Sequence, residues 1–263
     1  MDLQLASKRV FISGSTQGIG FAIAQQMAQE GAEVVVHGRT QAKVDLAVQQ
    51  IRICCPEAAL SGIAADLAHA EDMETLLQQL PEIDILVNNA GIFEVKDLMD
   101  ITDAEWLHMY NVNVMSAVRL SRHVLPGMLS RNDGRIIFIS SESGVNIPGN
   151  MIHYGASKAA MMALGNGLSK LTKGKQVTVN TILGGPTYSE GVAAAVEQIA
   201  AAHQAPVDVI KQQIMQQANP HSLLERFIAP AEIASLAVYL ASPLSSAING
   251  ASIRADGGAL RTL

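Results

Sequence analysis

Short runs of apolar, β-branched residues recur along the chain, and each gives way to a stretch in which apolar positions return every three or four residues. Arg9-Val10-Phe11-Ile12-Ser13 stops at Gly14, and Ile19, Ala22, Ile23 and Met27 then follow at helical spacing. Val34 to Val36 precede a helical pattern from about Gln41 to Ile53, and Ile83 to Val87 precede Asn88 and a longer helical region. Ile136 to Ile139 and Val177 to Leu183 are two more such runs, each entering a Gly- or Ser-rich turn before helix-forming sequence. Near-continuous apolar strands are those buried on both faces, and connections long enough to hold a helix join parallel neighbours. The pattern therefore predicts an α/β fold, a doubly wound parallel sheet with helices on both faces.

Between about Tyr188 and Phe227 the alternation stops. Val192, Ala195, Val196, Ile199 and Ala200, then Val207, Ile210, Ile214 and Met215, form two helical patterns with no clear strand between them. We expect a single domain over residues 1–263 with this pair inserted above the sheet. Because it leaves a strand at its carboxyl end, where such sheets bind ligands, it is placed to act as a substrate lid over about 188–227, or simply to cover the body of the protein.

Composition narrows the partners. Of 263 residues 49% are hydrophobic, enough for a substantial core. Lys and Arg total 18 against 24 Asp and Glu, a formal charge of −6, and no basic block offers a phosphate-neutralising surface, which argues against nucleic acid as a partner. The longest stretch without Asp, Glu, Lys or Arg, Ile233 to Ile253, holds Ser235, Ser242, Pro243, Ser245, Ser246, Asn249 and Gly250, too polar and broken for a bilayer span. The first residues show no basic segment followed by an apolar one, and the two cysteines, Cys54 and Cys55, are adjacent and badly placed to bridge one another; both fit a cytoplasmic protein. The seven histidines show no paired ligand spacing, so no metal is expected.

Two local patterns carry chemistry. Gly14-Ser15-Thr16-Gln17-Gly18-Ile19-Gly20 joins the first strand to the first helix, where glycines permit a sharp turn and close approach of a pyrophosphate to the free N–H groups of a helix N-terminus. Tyr154 and Lys158, four residues apart, share one face of a helix, and an ammonium beside a phenol is expected to lower the phenol pKa.

With Asn88-Asn89-Ala90-Gly91 and Tyr154-Gly155-Ala156-Ser157-Lys158, in order and spread over nearly the whole chain to Asp256-Gly257-Gly258, the sequence resembles the short-chain dehydrogenase/reductase family, 3-oxoacyl-thioester reductases among its members. The resemblance implies a Rossmann-type sheet of about seven strands, a nicotinamide cofactor and a homotetramer. It implies that Gly14, Ser15, Thr16, Gly18, Ile19 and Gly20 hold the cofactor phosphates, that Asp66 and Leu67 receive the adenine, and that Asn89 fixes the central strand while Ala90 and Gly91 let the cofactor approach. Asp66 reads equally well as the N-cap of the next helix. At the end of the second strand the acidic residue that binds ribose hydroxyls is replaced by Gly38, and Arg39 follows, able to pair with a 2′-phosphate with help from Ser15; NADP(H) is favoured over NAD(H).

The same resemblance implies that Ser141, thirteen residues before Tyr154, polarises a substrate carbonyl, with Ser140 and Ser143 as neighbours able to cap the turn. Tyr154 is the implied acid/base, Lys158 binds the nicotinamide ribose, and Asn113 anchors a water beside Lys158, while Asn111 is expected on the surface. His153 is expected in a supporting or surface position. Thr187 matches the threonine that touches the carboxamide or phosphates, but Gly184 stands where the family usually has proline and should loosen that loop. Trp106, Leu107, Tyr110, Val114, Ala117, Val118 and Leu125, with Ala159, Met162 and Ala163, form apolar stripes for contacts between subunits or with the chain's own sheet. The expected activity is hydride transfer between a nicotinamide and a ketone or secondary alcohol. The alternatives are an NADP(H)-binding regulator without turnover and an S-adenosylmethionine-dependent methyltransferase, neither of which needs Tyr154 and Lys158.

Overall fold

The buried apolar runs become strands of one sheet in the computed structural model, which describes residues 2–261. The strands are β1 (Arg9–Ile12), β2 (Glu33–Gly38), β3 (Leu60–Ala64), β4 (Ile85–Asn88), β5 (Gly134–Ser141), β6 (Val177–Gly184) and β7 (Ser252–Ala255). Their order is β3-β2-β1-β4-β5-β6-β7, and every neighbouring pair is parallel. Chain direction across the sheet reverses between β1 and β4, which opens a crevice at the carboxyl ends of those strands. β4, β5 and β6 are buried along their whole length, as central strands covered on both faces must be. The edge strands β3 and β7, whose sequences mix polar and apolar residues, are largely half-buried or exposed.

The helices are α1 (Gly18–Gln29), α2 (Gln41–Cys54), α3 (Ala70–Gln79), α4 (Asp103–Tyr110), α5 (Ser116–Arg131), α6 (Ile152–Lys170), α7 (Glu190–His203), α8 (Val207–Ala218) and α9 (Pro230–Ala241). On one face α1, α2 and α9 bury Ile23, Met27, Val44, Ile51, Ile233 and Leu240 with Val10 and Ile12 of β1. On the other, α3, α5 and α6 bury Met73, Leu120, Val124 and Met161 around Phe11 and Phe138. The period of two along β1 thus feeds two separate cores.

The long helical region after β4 is divided. α4 and α5 are joined by a π-type turn, Asn111–Met115, of the kind that often marks functional positions. Val114, Ala117 and Leu125 are buried within the chain's own core, whereas Leu107 and Tyr110 stand 67% and 40% exposed, so only part of the expected stripe is free to meet another subunit. α7 and α8 pack on each other around Val196, Ala200 and Ile210 in an apolar cluster of their own. Among the described residues no helix is long and apolar enough to cross a membrane.

Candidate active site

The glycine turn between β1 and α1 is shaped by backbone demands. Gly14 and Gly18 have φ of +66° and +60°, and a Cβ on Gly20 would overlap the Gly14 carbonyl and the Asn89 amide. Asn89 at the end of β4 clamps the turn, its Nδ2 donating to the carbonyls of Ser13 at 3.0 Å and Gly14 at 2.8 Å. Ser13 completes the clamp, its Oγ accepting from the N–H groups of Asn89 and Ala90, both at 3.0 Å. The first N–H of α1, at Gly18, donates to the Glu190 carboxylate at 2.6 Å, so an acidic group from α7 already sits where a helix N-terminus favours an anion.

Ser15 does not reach outward as expected. It is fully buried, its Oγ donating to the Ile12 carbonyl at 2.8 Å and accepting from the His37 N–H at 2.9 Å. These bonds orient His37, whose Nδ1 accepts from the Gly14 N–H at 3.0 Å. Burial lowers the His37 pKa to about 4, which keeps the imidazole neutral and able to accept. Gly38 makes room for Thr16, because a Cβ there would lie 2.5 Å from the Thr16 methyl. Arg39 follows in an exposed position, and Ile19 is half-buried beside the turn.

Asp66 is not a helix N-cap: α3 begins at Ala70 with His69 before it. Asp66 instead closes its own turn, Oδ1 accepting from the Ala68 N–H at 3.0 Å, while Leu67 is buried in the core. The cradle that a Cβ would fill and the helix N-terminus that already holds a carboxylate fit the pyrophosphate of a dinucleotide.

At the carboxyl end of β5, Ser141 lies beside α6, which carries Tyr154 and Lys158. The Lys158 Nζ stands 5.7 Å from the Tyr154 ring centroid and donates to the Ile139 carbonyl at 3.0 Å. Ser140 Oγ donates to the Lys158 carbonyl at 2.8 Å and ties α6 to the end of β5, while the Ser143 N–H donates to Ser141 Oγ at 3.1 Å and closes the turn. Ser141 Oγ donates to Glu142 Oε2 at 2.6 Å.

The ionisation of the pair differs from expectation. Burial pushes the Tyr154 phenol up to about 12, assisted by the charge of Glu142 and opposed by a hydrogen bond with Ser141. Burial also lowers Lys158 to about 8. Desolvation of both groups outweighs the attraction expected between ammonium and phenolate.

The π-type turn points Asn113 inward. Its Oδ1 accepts from the Ile92 N–H at 2.8 Å, and Nδ2 donates to the Ile92 carbonyl at 3.0 Å and to Ser157 Oγ at 2.9 Å. A Cβ on Gly91 would lie 3.3 Å from Asn113 Oδ1 and 3.4 Å from Lys158 Nζ, so the two side chains converge beside Gly91. Asn111 is not a surface residue; it is half-buried and donates to the Ala68 carbonyl at 2.5 Å. The His153 side chain is fully buried, 3.7 Å from Glu94 and against Trp106, which removes the surface reading.

Hydrogen bonds tie down the loop that follows Gly184. Gly185 N–H donates to the Ala255 carbonyl at 3.1 Å, Ile228 N–H to the Pro186 carbonyl at 2.8 Å, and Thr187 Oγ1 to the Gly185 carbonyl at 2.9 Å. Among the described residues no cluster of three or more His, Cys, Asp or Glu is gathered to hold a metal.

Ser13, His37, Glu142 and Glu190 are the polar residues that the sequence reading missed. A histidine ending the apolar run Val34-Val35-Val36 and an acid directly after Ser141 were visible signals for two of them.

Comparison with known proteins agrees with this fold. Residues 8–211 match the short-chain dehydrogenase family model. The chain belongs to the short-chain dehydrogenase/reductase family. Among its relatives, the uncharacterized oxidoreductase YvrD of Bacillus subtilis is 46% identical with both chains covered in full. The D-beta-hydroxybutyrate dehydrogenase of Cupriavidus necator is 31% identical over 97% of this chain and 98% of its own. Among solved structures of the family, L-sorbose reductase from Gluconobacter frateurii, complexed with NADPH and L-sorbose, superposes with a TM-score of 0.93 at 29% identity, each chain covered in full.

Proposed function

We propose that this dehydrogenase/reductase is NADP(H)-dependent and interconverts a ketone and a secondary alcohol, with Tyr154 as acid/base. The observation that supports the reading is the hydrogen bond between Ser141 and Tyr154 with the Lys158 ammonium 5.7 Å from the phenol ring, a hydroxyl and a phenol close enough to meet one carbonyl oxygen. When bound, the nicotinamide supplies the hydride. Ser141 orients and polarises the carbonyl, and Tyr154, whose high pKa keeps it protonated, gives the oxygen its proton. Lys158 would hold the ribose, and Asn113 would shape the route by which Tyr154 is reprotonated.

Gly14, Thr16, Gly18, Ile19 and Gly20 would hold the phosphates with Ser15 as a buried support, Asp66 and Leu67 the adenine, and Asn89, Ala90, Gly91 and Thr187 the nicotinamide end. Exposed Arg39 after Gly38 supports NADP(H), since the end of β2 offers a guanidinium and no carboxylate. The NADPH complex of L-sorbose reductase supports the same choice. The segment 188–227 would serve as the lid of a single domain, and Leu107 and Tyr110 would face a neighbour in a homotetramer.

The test follows NADPH absorbance with ketones, sugars and acyl thioesters. Tyr154→Phe should lower kcat by orders of magnitude at nearly unchanged NADPH affinity. Arg39→Ala should weaken NADPH about ten- to a hundredfold more than NADH, the worth of one charge-assisted contact. Undiminished turnover by Tyr154→Phe would overturn the mechanism, and equal effects on both cofactors would overturn the cofactor assignment.

A further inference from the structure

Glu142 directly follows Ser141, and its carboxylate is enclosed by the turn that Ser141 begins. Oε2 accepts from Ser141 Oγ at 2.6 Å and Oε1 from Ser143 Oγ at 3.2 Å. Ser141 Oγ itself accepts from the Ser143 N–H at 3.1 Å. A hydroxyl has one proton, and here it is spent on Glu142. With its proton so committed, Ser141 meets Tyr154 only as an acceptor and cannot also donate to a carbonyl oxygen.

We propose that Glu142 is a positioning residue for Ser141: ionised, it keeps the hydroxyl proton turned to itself, and protonated, it donates to Ser141 Oγ and frees that proton for a substrate carbonyl. No proton leaves Ser141 in this exchange; only the direction of one hydrogen bond reverses. The inference rests on the reading of Ser141 and Tyr154 as the pair that meets the carbonyl.

Three further observations support it. Burial raises the Glu142 pKa above the ordinary carboxylate range, while the bonds from Ser141 and Ser143 to its charged form oppose that rise. The charge of Glu142 acts on Tyr154, helping to raise its pKa, and both side chains are hydrogen-bonded to the Ser141 hydroxyl between them. α6 and β6 are the elements packed on this turn. From α6 the facing ionisable group is Tyr154, while Lys158 is engaged with the Ile139 carbonyl, and β6 (Val177–Gly184) contains no ionisable residue. A carboxylate this close also opposes the negative charge that gathers on a carbonyl oxygen during reduction, so the neutral form is the one suited to the chemistry.

The first test needs no turnover. With side-chain carboxyls of glutamate labelled with carbon-13, the Glu142 resonance is identified by its loss in Glu142→Gln and titrated by NMR. Its midpoint should lie above the ordinary glutamate value and rise by a further unit or so, about the effect of one lost hydrogen bond to the charged form, in Ser141→Ala. A midpoint indifferent to Ser141→Ala would overturn the inference.

The second test is the pH profile of carbonyl reduction. Wild-type kcat/KM should fall about ten- to a hundredfold as pH rises through the Glu142 midpoint, the worth of one charge-assisted hydrogen bond. Glu142→Gln, neutral at every pH and able to donate to Ser141, should keep the low-pH rate and lose that limb. Identical profiles for the two enzymes would also overturn it. Absence of any NADPH turnover by the wild type would remove the proposed function, while the NMR titration would still decide whether Glu142 and Ser141 are coupled.

Discussion

The sheet and the α7–α8 arm are built from the same kinds of residue and held in different ways. The sheet is sandwiched between two continuous cores, with Phe11, Phe138, Ile23 and Leu120 fully buried. The arm has a cluster of three buried side chains, Val196, Ala200 and Ile210, ringed by half-buried ones. Its ties to the body include the Glu190 carboxylate on the Gly18 N–H and a parallel bridge between Thr187 and Ile228 at its root. A unit with so little buried surface opens at a lower free energy than the body. The glycine turn and the Ser141–Tyr154 pair therefore sit on the more tightly packed body, and the arm is the less tightly packed unit.

The largest effect should come from the body. Phe138→Ala removes a fully buried ring between α6 and the sheet and should cost about 3–5 kcal/mol of global stability, read from denaturant unfolding. A loss below about 1 kcal/mol would show that the body is not packed as tightly as described.

Acid should next distinguish the two regions. His37, 2% exposed, has a folded pKa of about 4 against 6.5 for the free side chain, so the unfolded chain takes up its proton first. Its stabilising contribution is fully present above pH 6.5, declines as pH falls, and is lost by pH 4, a change of about 3 kcal/mol. Unfolding at pH 7 and at pH 4.5 should show that loss in the wild type and a smaller one in His37→Asn, whose amide oxygen still accepts from Gly14. An equal loss in both would move the acid sensitivity elsewhere.

In the arm, Ile210→Ala should cost about 2 kcal/mol, the low end for such truncations because the small cluster can collapse. The cost should surface locally, as faster hydrogen exchange and proteolysis within residues 188–227, with the global thermal midpoint unmoved. A midpoint lowered as far as by Phe138→Ala would make arm and body one cooperative unit. The smallest effect should belong to Glu190→Ala. Freeing the Gly18 N–H should tighten NADPH binding a few-fold and speed cleavage of α7 in the free protein; no change in either would show that the carboxylate does not compete for the cradle.

Legibility in the sequence followed burial. β1, β2, β4, β5 and β6 announce themselves because a strand covered on both faces must be apolar at nearly every position. Leu60-Ser61-Gly62-Ile63-Ala64 and Ser252-Ile253-Arg254-Ala255 do not, and they become β3 and β7 only by pairing with β2 and β6 at the edges. Asn111 and Asn113 look alike in the chain, yet the π-type turn sends one to the loop after β3 and the other to Ile92 and Ser157.

By itself the sequence determined what depends on neighbours within one or two turns: the glycine turn after β1, the shared face of Tyr154 and Lys158, the alternation of strand and helix, and the two helical patterns of the arm. Only the tertiary structure decided which way polar groups face and whether they carry charge. Ser15 turned inward to His37, Asn113 to Ile92 and Ser157, and Tyr154 and Lys158 moved toward their neutral forms. Desolvation and hydrogen-bond partners are set by segments far away in the chain, which no local pattern records.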